Sequence, residues 1–254
     1  MAEVSGAPLL LVHGLIGHMR VRQIFDYFGS RAHAPDLLGY GERGDWDGPI
    51  SLRAQVEFLH QYCHDHELAP VHVAGHSVGG AIAVLLARKY PNHVASILNI
   101  EGNFTLKDAF WSKRIAESTL DDTARALEAD RADPAGWLER CGVEATDERI
   151  DAARSHLNNQ SAETVYACAR SVVEVTGRPE YLRDVAAVLD YGTPMQLIAG
   201  ERSEAQWDVP AFVRERAPLH ILPNTGHLVT IESPQAFAQA VVFAIEGRPQ
   251  HAGH

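Results

Sequence analysis

Five consecutive residues constrain this chain more than any others: Gly75, His76, Ser77, Val78 and Gly79. They follow Val71, His72, Val73 and Ala74, a short stretch suited to a buried strand. They precede Gly80 and a run of small and apolar residues through Ala87, suited to a helix. Gly-x-Ser-x-Gly between a strand and a helix is the pattern of a nucleophile elbow. The turn is sharp enough to strain the serine backbone, and a Cβ at Gly75 or Gly79 would collide with neighbouring backbone. The bend lifts the Ser77 hydroxyl off the sheet edge, at the start of the next helix. There the free N–H groups and the helix dipole favour developing negative charge.

The flanking sequence supplies a sheet to carry this turn. Residues 8–13 are a continuous apolar run, too short for a helix and suited to a strand covered on both faces. A glycine turn at Gly14 and Gly17 follows, then Val21, Ile24, Phe25 and Phe28 at helical spacing. Residues 31–35 read as a weaker second strand ending in a glycine-rich loop, Asp36 to Gly41. Ser51 is placed to cap a helix that carries Leu52, Val56 and Leu59 on one face. Residues 95–100 form a further strand that ends at Glu101. Alternation of strand and helix implies α/β architecture, a mostly parallel sheet with right-handed crossovers.

Residues 104–188 break the rhythm, with helical periodicity through Phe110, Trp111, Leu127, Trp137, Ile150, Leu157, Val165, Val172 and Val173. The sheet pattern resumes at 194–200 and 219–223. The expectation is therefore one core, residues 1–103 and 189–254, interrupted by an inserted helical cap, 104–188. Ser233 and Pro234 read as an N-cap and first helical residue for a last helix with Phe237, Val241 and Ile245 inward. The tail from 247 to 254 reads as frayed.

A chain of 254 residues can bury one substantial core. The net charge of −11 argues against nucleic acid or an anionic membrane as partner. Cys63, Cys141 and Cys168 are few, odd in number and widely spaced, which favours a reducing cytoplasm over a disulfide framework. The N-terminus shows no signal-peptide pattern, and no run reaches the ~18 apolar residues of a membrane span. His60, Cys63, His64 and His66 invite a metal reading, but they lie late in an amphipathic helix and lack the His-Glu-x-x-His pattern. Gly39 and Gly41 lack the third glycine and the helix of a dinucleotide fingerprint. Neither a metal nor a cofactor is expected.

Taken together, His13-Gly14 at a strand end, Asp36-x-x-Gly39-x-Gly41, the Gly75 to Gly80 elbow and Asn224-Thr225-Gly226-His227 resemble the α/β-hydrolase family over nearly the whole chain outside the cap. The resemblance implies a triad in the order serine, acid, histidine. Ser77 is the nucleophile and His227 the general base, in a loop after the last strand. The resemblance also implies an oxyanion hole from the backbone N–H groups of Leu15 and Val78. His13 and His76 are read as site-lining or structural.

The acid departs from the common pattern, which places an aspartate where this chain has Ser203. Two carboxylates compete for the role. Glu101 directly follows the strand after the elbow, a place from which some family members supply the acid; Glu204 lies one residue late. Glu101 is favoured. Many members also begin with an antiparallel hairpin, and the seven residues before Pro8 leave it expected absent. Phe104, Trp111 and Trp137 are candidates to line an acyl pocket.

The activity so implied is serine hydrolysis of a carboxylic ester of a small or medium acyl substrate through an acyl-enzyme. Carbon–carbon bond hydrolysis, a lyase reaction, thioester or lactone cleavage, and a non-catalytic ligand receptor remain alternatives on the same fold. The oligomeric state stays open.

Overall fold

The computed structural model describes residues 6–247. The readings for residues 1–5 and for the tail beyond Gly247 lie outside the described residues. Six strands form one sheet: β1 (Leu9–Val12), β2 (Ala32–His33), β3 (Val71–His76), β4 (Val94–Ile100), β5 (Met195–Gly200) and β6 (Leu219–Leu222). Their order is β2-β1-β3-β4-β5-β6, and every neighbouring pair is parallel. The apolar runs of β1 and β4 follow from this arrangement, since a parallel sheet is covered on both faces. Strand β2 is shorter than the expected 31–35. Arg31 ends a 3-10 turn, and Pro35 lacks an N–H and holds its predecessor away from regular pairing.

Helices α1 (Arg22–Phe28), α2 (Leu52–Asp65) and α3 (Val78–Lys89) connect the first four strands. Between β4 and β5 run α4 (Phe110–Ala116), α5 (Leu120–Ala132), α6 (Pro134–Arg140), α7 (Asp147–Leu157), α8 (Ala162–Thr176) and α9 (Pro179–Tyr191). Short α10 (Ala211–Arg214) precedes β6, and α11 (Val229–Glu232) and α12 (Pro234–Glu246) follow it. Alternate strand residues divide between two cores, as a two-residue repeat requires. Leu9, Leu11, Ala74, Leu98 and Ile198 pack on Ile24 and Phe28 of α1 and Phe237 and Val241 of α12. Leu10, Val12, Val73, Ile97 and Leu197 pack on α2, α3 and α9. Residue 188, the expected end of the cap, falls inside α9, which packs on α3.

Ser51 caps α2 by accepting the Ala54 N–H at 3.1 Å. The expected Ser233 cap on α12 does not form. Ser233 also ends α11, its N–H bonding to the Val229 carbonyl, and its hydroxyl lies 2.9 Å from Thr225 Oγ1 instead. Pro234 does occupy the first turn of α12.

The strand order fixes where a ligand can sit. The chain winds from β1 outward to β2, then returns to β3 on the other side of β1. At such a switch point the loops leaving β1 and β3 diverge and open a crevice at the carboxyl ends of the strands. Those two loops carry Gly14 to His18 and the elbow.

Candidate active site

Ser77 sits between β3 and α3 with φ 52° and ψ −116°, a left-handed conformation that a non-glycine residue adopts only when its surroundings enforce it. The enforcement is local. A Cβ on Gly75 would stand 2.2 Å from the Gly79 carbonyl oxygen, and one on Gly79 would stand 2.1 Å from that of Val12. The chain can make this bend against β1 only with glycine at both places.

The Ser77 side chain lines a cleft together with Gly14, Leu15 and Ile16 of the β1–α1 loop, His227 and Leu228 after β6, Trp111 of α4, Trp137 of α6 and His156 of α7. The cleft holds about 470 Å³ of empty space, its solvent-facing mouth included. His18, His76, Thr230 and Ile231 complete the wall. No direct hydrogen bond joins Ser77 Oγ to His227 among the described residues. Such contacts are often loose in an empty site and tighten with substrate.

Glu101 and His227 meet. Glu101 Oε2 lies 2.8 Å from His227 Nδ1. Glu101 follows β4 directly, with φ 42°, and its carboxylate is 4% exposed, so an unpaired charge there would be costly. It is not unpaired. Its other oxygen accepts the Gly200 N–H at 2.7 Å and the Ser203 hydroxyl at 2.6 Å. Burial alone would raise its pKa; the hydrogen bond and charge of His227, then Ser203 and Gly200, outweigh it and hold the carboxyl below its ordinary value. The rival Glu204 lies in a 3-10 turn and pairs with Arg214 at 2.8 Å.

His227 is held from two further sides. His76 Nε2 lies 2.9 Å from its backbone carbonyl, so His76 donates there. Burial, then the neighbouring His227, push the His76 pKa down, so this ring is neutral at pH 7. Upstream, Gly226 donates its N–H to Glu232 Oε1 at 2.9 Å, and Arg202 pairs with the other oxygen of that buried carboxylate. Arg202 also reaches the Asn224 carbonyl. The loop bearing His227 is therefore pinned to the β5 exit.

The Leu15 N–H has no hydrogen-bond partner among the described residues, and Val78, first residue of α3, has none within its helix. The peptide between Gly14 and Leu15 is fixed from both ends. His13 Nδ1 lies 2.9 Å from the Gly14 carbonyl, and Tyr40 donates its hydroxyl to the Leu15 carbonyl at 3.0 Å. His13 Nε2 accepts the Leu37 N–H at 3.1 Å, which fixes the tautomer with the proton on Nδ1. His13 is buried, and that burial lowers its pKa to about 4.

Of the aromatic candidates, Trp111 and Trp137 line the cleft. Phe104 does not; it is fully buried in the core, its ring 5.8 Å from that of Trp207. The histidines in and just after α2 lie elsewhere. His60 stacks on Tyr90, His66 bonds the Tyr62 carbonyl, and Cys63 is buried in the core. His18, His156 and Thr230 carry no local sequence signal and reach the cleft only through the tertiary fold. The supporting bonds of Tyr40 and Ser203 likewise have no local signal. Gly17, whose Cβ would stand 2.0 Å from His156 Nδ1, was the one local sign that something packs tightly on the first loop.

Comparison with known proteins identifies the family and the fold. The sequence profile described as "Alpha/beta hydrolase family" matches residues 9–240. "Lipase 1" of Psychrobacter immobilis is 38% identical over 125 residues, covering 46% of this chain and 36% of the relative, so the chain spans little more than a third of that relative's length. Among solved structures, a thermophilic esterase from Thermogutta terrifontis superposes with a TM-score of 0.68 at 21% identity, covering 93% of this chain and 88% of the other. MenH from S. aureus gives 0.72 at 16% identity, covering 97% and 96%. At such identities these two speak to the fold alone. With the profile spanning nearly every described element from β1 into α12, the chain belongs to the alpha/beta hydrolase family.

Proposed function

We propose that the protein is a serine hydrolase that cleaves a carboxylic ester of a small to medium substrate. Ser77 Oγ attacks the ester carbonyl as His227 Nε2 takes its proton. The tetrahedral oxyanion is met by the N–H groups of Leu15 and Val78, each such donor contributing about 3 kcal/mol in comparable sites. His227 returns the proton to the departing alcohol, leaving an acyl group on Ser77. Water, deprotonated by the same imidazole, then attacks the acyl carbon; the acid leaves and the proton returns to Ser77. Glu101 holds the His227 Nδ1–H and stabilises the imidazolium as it forms. The helices between β4 and β5, as a cap, shape the cleft and limit water entry.

The observation that carries this reading is the 2.8 Å contact between Glu101 and His227 in the loop beside a strained, cleft-lining Ser77. Lipases and esterases among the matched proteins favour an ester over other acyl bonds. A fluorophosphonate probe tests it. Stoichiometric labelling of Ser77, absent in Ser77→Ala and strongly slowed in His227→Ala, together with turnover of short p-nitrophenyl esters, is expected. Labelling without turnover of any ester, thioester or lactone assigns the triad to carbon–carbon or lyase chemistry. No labelling at all leaves a ligand receptor.

A further inference from the structure

The β1–α1 loop, residues 13–21, carries the proposed oxyanion donor Leu15 yet has no helix or strand of its own. Its successive peptides are held one by one. His13 Nδ1 donates to the Gly14 carbonyl and Tyr40 to the Leu15 carbonyl. The next two peptides meet at Gly17, and both are gripped by side chains from the α7–α8 junction. Gly17 donates its N–H to Gln160 Oε1 at 2.9 Å, and its carbonyl accepts from Asn159 Nδ2 at 2.9 Å. Gly17 has φ 94°, and the His156 ring stands where a Cβ would be. Both amide side chains are buried and fully engaged. Gln160 Nε2 donates to the His156 and Leu157 carbonyls at 3.0 Å each, so Oε1 must face Gly17. Asn159 Nδ2 also donates to Asp36 Oδ1 at 3.1 Å, and its Oδ1 accepts from Arg20 Nη2 at 3.2 Å. The junction is itself anchored. Gly41 donates its N–H to the Asn159 carbonyl at 2.7 Å, and Arg131 bonds the carbonyls of Leu157 and Gln160.

We propose that Asn159 and Gln160 are positioning residues for the oxyanion hole: they hold the β1–α1 loop so that the Leu15 N–H stays aimed at the oxygen that becomes charged. This rests on the ester hydrolase reading. Neither side chain lines the cleft, so neither touches substrate. Their effect runs through Gly17, two residues from Leu15. A donor aimed at developing charge is effective because it is oriented beforehand; one that must reorient during the reaction gives part of the stabilisation back. A displacement of about 1 Å in such a site can cost about a hundredfold in rate. A loop with glycines at 14 and 17 is too free to keep that aim by itself. The α7–α8 junction thereby completes the oxyanion hole from a distance of more than a hundred residues in sequence.

Gln160→Met and Asn159→Leu keep the bulk of each side chain and remove its bond to Gly17. On p-nitrophenyl butanoate each should lower kcat by about tenfold to fiftyfold with KM within about twofold, since a misaimed donor is felt in the transition state. The trifluoromethyl ketone 1,1,1-trifluorohexan-2-one gives a second reading. Ser77 Oγ adds to its carbonyl carbon, the serine proton passes to His227, and the carbonyl oxygen becomes an oxyanion in the hole. Its affinity should weaken by a similar factor. Nitrogen-15 relaxation on leucine-labelled protein reads the loop itself. The Leu15 amide order parameter should be about 0.85 in the wild type, as in rigid backbone, and fall below about 0.7 in each variant while that of Leu98 in β4 is unchanged. Unchanged kcat and inhibitor affinity beside a lowered urea midpoint would reduce the pair to support of the fold and overturn the proposal. A loss carried by KM alone overturns it too, as does a mobile Leu15 amide in the wild type. Should one variant not fold, the other decides by the same readings. Should no ester turn over, the hydrolase reading fails separately, and the order parameter decides alone: lowered in the variants, it supports the positioning role; unchanged, it overturns it.

Discussion

Ser203 donates its hydroxyl to Glu101 Oε1 at 2.6 Å. The residue in the slot where the family pattern puts an aspartate thus props a carboxylate that rises from the neighbouring strand. The substitution works because β4 and β5 are adjacent and parallel, so both chains leave the sheet at the same edge. A carboxylate on either exit can reach the loop after β6. Ser203 and the Gly200 N–H bind one oxygen of Glu101 and leave the other free for His227.

Glu101→Gln is expected to lower kcat by about 10³-fold to 10⁴-fold while leaving the fold intact, because an amide neither fixes the histidine tautomer nor offsets the imidazolium charge. Ser203→Ala should cost about threefold to tenfold, the loss of one supporting hydrogen bond. Glu204→Gln should stay within about twofold, since Glu204 serves Arg214. Steady-state kinetics on a p-nitrophenyl ester checks all three. A large loss in Glu204→Gln with none in Glu101→Gln would reverse the assignment.

Tyr40→Phe probes the first loop. The Tyr40 hydroxyl bonds the Leu15 carbonyl in a fully buried setting, and its removal leaves that carbonyl without this partner. A stability loss of about 1–2 kcal/mol is expected in urea melts. If the Leu15 N–H acts on the oxyanion, kcat should fall about tenfold with little change in KM, because the misplaced donor is felt only in the transition state. An unchanged kcat beside the stability loss would reduce Tyr40 to a packing role.

Much of this molecule is legible locally. The elbow is readable because its glycines are demanded by contacts within a few residues and with one neighbouring strand. The strands are readable because a doubly covered sheet leaves continuous apolar runs. What resisted reading is decided across the sheet. Glu101 is favoured from its place directly after a strand, but its contact with His227 depends on which strands lie side by side, a fact of topology. His156 reaches the cleft from a helix whose local pattern announces only an apolar face, whereas Trp137 is legible as a candidate lining residue. Ser233 looked like a helix cap, but the same residue also closes α11, and its hydroxyl turns to Thr225. Phe110 fits a helical repeat, yet its side chain is 71% exposed, because periodicity marks a face without saying whether anything covers it.

Arg202 and Glu232 offer a test of the loop that bears His227. Glu232 is buried, takes the Gly226 N–H at 2.9 Å and pairs with Arg202. Arg202→Met strands that carboxylate. Because the Arg202 side chain is 44% exposed, the cost should sit below that of a fully buried pair, at about 2 kcal/mol. The loop should loosen as well, and kcat fall about tenfold. Hydrogen exchange of the Gly226 amide, faster in the variant, would report the loosening directly.

Acid sensitivity follows from the buried histidines. His13 titrates at about 4 in the folded protein against 6.5 in the unfolded chain, with burial the largest cause. Above pH 6.5 both states are neutral at this ring, and it contributes no pH dependence. As pH falls from 6.5 toward 4 the unfolded chain binds a proton that the folded protein refuses, so stability declines across that window. Below the folded value the loss levels off, at most about 3 kcal/mol for the one group. His18, also lowered to about 4, and His76 and His156 add in the same direction. Urea midpoints measured between pH 7.5 and 4 should therefore drop steeply on the acid side, by more than one proton's worth. His13→Gln should flatten the slope by about one proton while lowering the plateau at neutral pH, since the bonds to Gly14 and Leu37 are disturbed. A variant with the wild-type slope would mean that His13 takes up its proton without unfolding, and that another of the buried rings sets the acid limit.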